Sequence, residues 1–367
     1  MLHRFATFVA GCTVLLVLAG SFVTSTGSGL SVPDWPTTYG WNMFSFPPSK
    51  WVGGIFYEHG HRLIASTVGF LTIVLAAWLW RADPRRWMRG LGLTALATVI
   101  LQGVLGGLTV LFFLPAPVST AHAALAEIFF CLTVAIALCT SPAWIRGDDQ
   151  LDDPTLRRAT SVTTVLVFAQ ILVGATMRHT NAGLAIPDFP WMFGHIVPDH
   201  WDPKIAVHFA HRVGALIVSL SMLVTVRHIW TSQRSDAGGP PPVSHPGVPP
   251  PVAHSGVPPP VSYRGLSRPA ALLVALVVTQ VTLGALTVLS RRYEVINSLH
   301  VVGGALVLAK SLVITLRSWR VRFAMETNAE VSRVRQPGRF EQAGGIGQND
   351  GTSGRLDKAP AASGVRG

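Results

Sequence analysis

TGSGLSVPDWP at residues 26–36 returns as TNAGLAIPDFP at 180–190, and QGVLGGLTVL at 102–111 returns as QVTLGALTVL at 280–289. Separate elements recurring in one order make the chain an internal duplication. The copies are displaced by 154 residues in the first case and 178 in the second. Most of the difference falls in 235–265, where PPPV recurs at 240–243, 249–252 and 258–261.

Outward from these repeats the chain is apolar in blocks. Only 13% of residues are charged and 49% are hydrophobic, with a mean hydropathy of +0.42, whereas a soluble domain carries roughly 25% charge. Eight runs, at about 5–23, 57–80, 91–113, 118–140, 160–178, 205–230, 269–290 and 295–316, are long enough to cross a hydrocarbon core of about 30 Å. This predicts an all-α integral membrane fold, eight transmembrane helices forming two duplicated four-helix bundles in parallel orientation. The first run resembles a signal peptide, but the segment after it recurs after the fifth run, so it reads as a retained helix. Residues 1–145 then form the first half and 146–159 a cytoplasmic linker. Residues 160–234 and 266–318 form the second half, 235–265 is a Pro-rich disordered linker, and 319–367 is a disordered cytoplasmic tail.

The net charge of +11 does not point to nucleic acid, because the excess lies in short loops and the tail with no aromatic interleaving. Arg81, Arg85, Arg86, Arg89, Arg146, Arg157, Arg158, Arg227, Arg234, Arg264 and Arg268 follow the even spans. Only Lys50, Arg178, Lys204, Arg291 and Arg292 follow the odd ones. The positive-inside rule places both termini in the cytoplasm and turns loops 24–56 and 179–204 outward. Without an Arg/Ser-rich transit region, the expected location is a bacterial plasma membrane. Cys12, Cys131 and Cys139 lie within apolar runs, and no CxxC or CxxCH spacing occurs, so neither a thiolate metal site nor c-type haem attachment is indicated.

Ionisable residues inside spans need a reason. His61 in EHGHRLIAS corresponds to His211 in HFAHRVGAL, and His122 in STAHAALAE to His300 in NSLHVVGGA. A single histidine at a helix start reads as an interfacial residue wetted by headgroups. Four at duplicated positions and similar depth read as two pairs of axial ligands for haem iron. Gly60, Ala121, Ala123, Gly214, Gly303 and Gly304 would permit close helix approach. Arg62 and Arg212 directly follow two of the ligands and are candidate partners for haem propionates. His59, His179, His195, His200 and His208 lack the symmetry and read as interfacial or loop residues.

The halves differ in acid groups. Glu58 lies three residues before His61, on the same helix face, where the second half has His208. Glu58 is therefore the candidate for proton exchange or for stabilising a cationic intermediate; an interfacial carboxylate facing water is the bland alternative. Glu127 lies deeper, about 140° around the helix from His122, with no assigned role.

The EHGHR block, the TGSGLSVPDWP loop, the QxxxG elements at Gln102, Gln170 and Gln280, and the second HR and NSLH blocks resemble haem A synthases over about residues 5–316. That resemblance implies oxidation of a methyl group of haem O to a formyl group by successive hydroxylations, giving haem A for cytochrome oxidase, with water the expected oxygen source. It implies that His61 and His122 flank the substrate haem O, that His211 and His300 ligate a cofactor haem b, and that Glu58 is the functional acid. The implied partners are haem O, haem A, membrane lipid and a haem O synthase. The electron acceptor is unassigned and a homo-oligomer is left open. Loops 24–56 and 179–204 lack the Cys pair that many bacterial members carry, so no disulfide step is carried over. Asp34, Trp35, Asp188 and Phe189 are expected to shape lids over the haem edges. The alternatives are a non-catalytic di-haem cytochrome b electron carrier and a proton-coupled transporter.

Overall fold

The computed structural model describes residues 1–147, 152–237 and 264–335. Met1–Arg322 form one compact unit and Phe323–Gly367 a second, whose described residues, 323–335, are helical. In order the helices are α1 (Leu2–Ser25), α2 (Gly54–Ala82), α3 (Arg86–Leu111), α4 (Ala116–Cys139), the short α5 (Pro142–Arg146), α6 (Pro154–His179), α7 (Pro203–Ala237), α8 (Arg264–Leu289) and α9 (Glu294–Arg335). All but α5 contain a segment long and apolar enough to cross a membrane. The 24 residues of α1 rise about 36 Å, which exceeds the hydrocarbon thickness. The protein is a multi-pass membrane protein. Among the described residues there is no strand, only isolated bridges between Thr38 and Trp41 and between Met192 and His195.

The helices overrun the apolar runs because capping chemistry, not hydropathy, ends them. Asp153 accepts from Thr155 N (2.8 Å) and Leu156 N (3.0 Å), with Pro154 in the first turn. Helix α6 therefore starts inside the stretch read as a linker, 146–159, of which 148–151 lie outside the described residues. Ser141 caps α5 in the same way, accepting from Trp144 N. At the other end α9 continues through 319–335, part of the stretch read as a disordered tail. No Pro or Gly lies between 319 and Pro337, and polarity alone does not end a helix. The rest of that tail, and 238–263 of the Pro-rich linker, lie outside the described residues.

In the first half α1 packs on α2 and α4, α2 on α3, and α3 on α4. The helices of the second half share an apolar core that includes Leu156, Val167, Met222, Ile229, Leu273 and Leu308. Hydroxyls add ties across it: Thr163 to Ser221 (2.7 Å), Thr164 to Ser311 (2.7 Å) and Thr160 to Ser318 (3.0 Å). The halves meet where α4 packs on α6 and where Phe130 of α4 packs on Ala305 and Ala309 of α9, with Val14 and Val17 of α1 against them. Large side chains elsewhere, such as Phe70, Ile100, Leu216 and Val278, point outward, as lipid-facing residues must.

Candidate functional site

The four histidines sit on α2, α4, α7 and α9, and each ring rests on a glycine of the preceding long helix. A Cβ added to Gly20 would lie 2.9 Å from His61 Cε1; on Gly106, 3.1 Å from His122 Cε1; on Gly174, 2.8 Å from His211 Cε1; on Gly284, 3.0 Å from His300 Cε1. Any side chain at these positions would push the imidazole away. These four glycines, not Gly60, which has open space around it, set the ring positions.

One turn before three of these glycines stands a glutamine. Gln102 Nε2 donates to the His122 carbonyl (2.9 Å), Gln170 Nε2 to that of His211 (2.7 Å) and Gln280 Nε2 to that of His300 (2.9 Å). Gly214 and Gly303 leave room for the Gln170 and Gln280 carbonyl oxygens. In α1 the matching position is Leu16, and His61 Nδ1 is buried without a hydrogen-bond partner, as is His122 Nδ1.

The His211 and His300 ring centres lie 6.4 Å apart with their planes at 78°. An iron held between two imidazoles by bonds of about 2 Å, the length found on zinc, places the ring centres about 6 Å apart. His300 Nδ1 lies 3.2 Å from the Gln280 carbonyl oxygen; donating there leaves the Nε2 lone pair available to a metal. Among the described residues no three His, Cys, Asp or Glu side chains gather as a metal cage. Pairs of donors suit an iron whose other positions a macrocycle fills, so the residues fit the group.

Above each pair lies a lid built to one plan. Asp34 accepts from Tyr39 N (2.8 Å), Gly40 N (2.9 Å) and Thr37 Oγ1 (2.5 Å). Asp188 accepts from Phe193 N (2.8 Å) and Gly194 N (2.9 Å). Burial opposes both charges, but these hydrogen bonds outweigh it and hold both carboxyls below the ordinary aspartate range. Trp35 lies against Gly107 of α3, where a Cβ would come within 2.5 Å of its ring.

Arg62 fastens the first lid, donating to the carbonyls of Asp34 (2.7 Å), Thr37 (3.1 Å) and Val32 (2.8 Å) and to Glu58 Oε1 (2.7 Å). Arg212 reaches the carbonyls of Trp191 (2.9 Å), Ile186 (3.1 Å) and Asp188 (2.7 Å). All four terminal N–H groups of Arg62 and three of those of Arg212 are thus committed to loop and latch.

Glu58 is 3% exposed, and its Oε2 accepts from Val32 N at 2.8 Å. His208, 2% exposed, occupies the same position in the second half: Ile186 N lies 3.2 Å from its Nδ1 and Arg212 Nε 3.2 Å from its Nε2. A carboxylate accepts both donors, whereas a neutral imidazole has one acceptor nitrogen. His59 is fully buried, 3.1 Å from Thr38 Oγ1 and packed by Phe46 and Trp51. The interfacial reading of His59 and His208 is therefore corrected: the lids cover them. His195 and His200 lie on loop 179–204, His200 beside Asp199 at 2.7 Å.

Residues 3–244 match the sequence profile of the COX15-CtaA family, described as cytochrome oxidase assembly proteins. The chain belongs to this family. Curated relatives include haem A synthases of Shouchella clausii, 31% identical over 63% of this chain and 76% of the relative, and of Symbiobacterium thermophilum, 30% over 60% and 72%. A haem A synthase of Methylobacterium radiotolerans is 28% identical over 63% and 74%. The family match contains His61, His122 and His211 but stops short of His300, whose ring the structure places 6.4 Å from that of His211.

Within this family member, Glu127 of α4 is 5% exposed and its Oε2 has no hydrogen-bond partner. It shares a helix face with Cys131 and Phe130, which pack toward the second half. The three cysteines are unpaired thiols. What sequence reasoning missed are the four ring-bearing glycines and the placement of Arg178 against α1. The QxxxG spacing held the signal for three of the glycines.

Proposed function

We propose that the protein is a haem A synthase of the bacterial plasma membrane, with its termini in the cytoplasm and its lids on the outer side. The observation that carries this reading is the repeated seat of histidine on glycine, with the His211–His300 pair spaced for iron. Haem O binds between His61 and His122 as substrate. Turning its methyl group into a formyl group with water as oxygen source releases four electrons and four protons. A haem b held by His211 and His300 would supply a one-electron relay to an acceptor.

The chain's own residues divide the remaining work. The two lids exclude water from the haem edges, held down by Arg62 and Arg212. Propionate contact by these arginines is limited to Nε–H of Arg62 and one terminal N–H of Arg212. Glu58 lies one turn outward of His61. The second lid closes over His208, which has no charge to offer when neutral, so fastening a lid does not require a carboxylate. The charge at Glu58 thus serves the substrate side, taking up protons or stabilising positive charge on the reacting methyl carbon. A haem O synthase is the expected source of substrate.

The test is pigment extracted from the purified chain. Haem b together with haem O or haem A supports the enzyme. Haem b alone supports an electron carrier, and absence of Soret absorption supports a transporter.

A further inference from the structure

Arg178 reads in the sequence as an outer-loop charge, but it is the penultimate residue of α6. It lies one turn beyond Gly174, on the face that carries the His211 ring. One terminal nitrogen donates to the Ser21 carbonyl (2.7 Å) and Ser25 Oγ (2.8 Å) of α1, while Nε is buried with no acceptor. Ser25 Oγ also meets Asn297 Nδ2 (3.1 Å) and Ser298 Oγ (2.9 Å), just before His300 on α9. This polar cluster therefore caps the outer edge of the His211–His300 pair.

Among the described residues no carboxylate lies within ion-pair distance of Arg178. The charge that acts on it is of the wrong sign. Arg292, in the α8–α9 turn, is within electrostatic range of Arg178 and packs its Cδ 3.8 Å from the Cβ position of Gly183. A guanidinium satisfied only by neutral oxygens, with a second cation within electrostatic range, is costly at the edge of a membrane. An anion placed between them removes that cost and takes the unused N–H groups. Arg62 and Arg212, by contrast, are nearly saturated by their lids.

We propose that Arg178, assisted by Arg292, binds a carboxylate of the macrocycle held by His211 and His300, that is, a porphyrin propionate; this rests on the functional reading above. The site joins α1 to α6 and α9.

The experiment compares purified full-length protein with R178Q, R178K, R292Q and S25A, reading haem per chain, haem loss to a scavenger and the haem midpoint potential. R178Q is expected to lose haem about tenfold faster, as about 1.4 kcal/mol of lost contact implies. Its residual haem should have a lowered potential, because removing a cation disfavours the more negative reduced state. R178K restores the potential. R292Q, which leaves the α1 contacts untouched, lowers it by less, and S25A changes neither quantity. Wild-type potential and retention in both R178Q and R292Q overturns the proposal. So does S25A reproducing the R178Q loss, which would make Arg178 only a tie between helices. A wild-type protein without haem overturns the functional reading itself, and is recognised before any variant is compared.

Discussion

Replacing Gly174 by alanine tests the seat of His211 with a single methyl group. The added carbon would lie 2.8 Å from His211 Cε1 and 3.3 Å from Nδ1, about 0.6 Å inside ordinary contact, which begins near 3.4 Å. Metal–ligand distances tolerate only about 0.2 Å, so the ring cannot yield and still hold iron at bonding distance. Overpacking of this kind costs about 1–3 kcal/mol. Alanine in a helix interior regains about 0.5–1 kcal/mol over glycine, so any net loss arises at the ring and not from a weakened α6. We expect G174A to be made and inserted normally, yet to contain at least tenfold less low-spin haem b. The assay is the reduced-minus-oxidised spectrum with haem quantified per chain. Gly103→Ala, at a position with nothing within 4 Å, is the matched control and should be unchanged. Wild-type haem content and spectrum in G174A would refute the argument that glycine sets the imidazole position.

Other expectations follow from the same geometry. Glu58→Gln should retain both haems but cut haem A formation by at least about a hundredfold, a typical contribution of one acid–base group; pigment extraction should show haem O accumulating, and an unchanged haem A yield removes Glu58 from the chemistry. Gln280→Leu removes the second donor to the His300 carbonyl, whose partner within the helix remains, costing about 0.5–1.5 kcal/mol, visible as a lower thermal midpoint; an unchanged midpoint would mean that bond contributes nothing. The Asp34 and Asp188 carboxyls are held below their ordinary range. Their contribution to lid closure is therefore fully present above the unfolded value of about 3.9 and lost as pH falls through the lower folded values. Limited proteolysis should find both lids resistant down to about pH 4, and opening above about pH 5 would contradict the assignment.

The eight spans were legible because hydropathy reports the hydrocarbon-crossing part of a helix directly. Helix α5 and the extension of α9 through 319–335 were not, since a Ser–Pro cap and the mere absence of breakers carry no apolar signal. The paired histidines were legible through duplication: His61 and His211, and His122 and His300, are visible only as copies. Gly20 was not, because the glutamine that marks its three counterparts is Leu16 in α1. The placement of Arg62 and Arg212 was hidden for a different reason. Besides Glu58 and His208 one turn before them, their partners are backbone carbonyls of a folded loop, which no side-chain pattern encodes. His208 shows the reverse case: register placed it opposite Glu58, but only the folded lid reveals that both fill one buried position.

The most direct test of the central claim, that each histidine pair holds one haem iron, is electron paramagnetic resonance with haem counting on wild type and on H61A, H122A, H211A and H300A. Low-spin signals from a bis-imidazole centre in wild type, lost at one centre in H211A and H300A and at the other in H61A and H122A, are the predicted result. Four variants with undiminished haem and unaltered signals would contradict it.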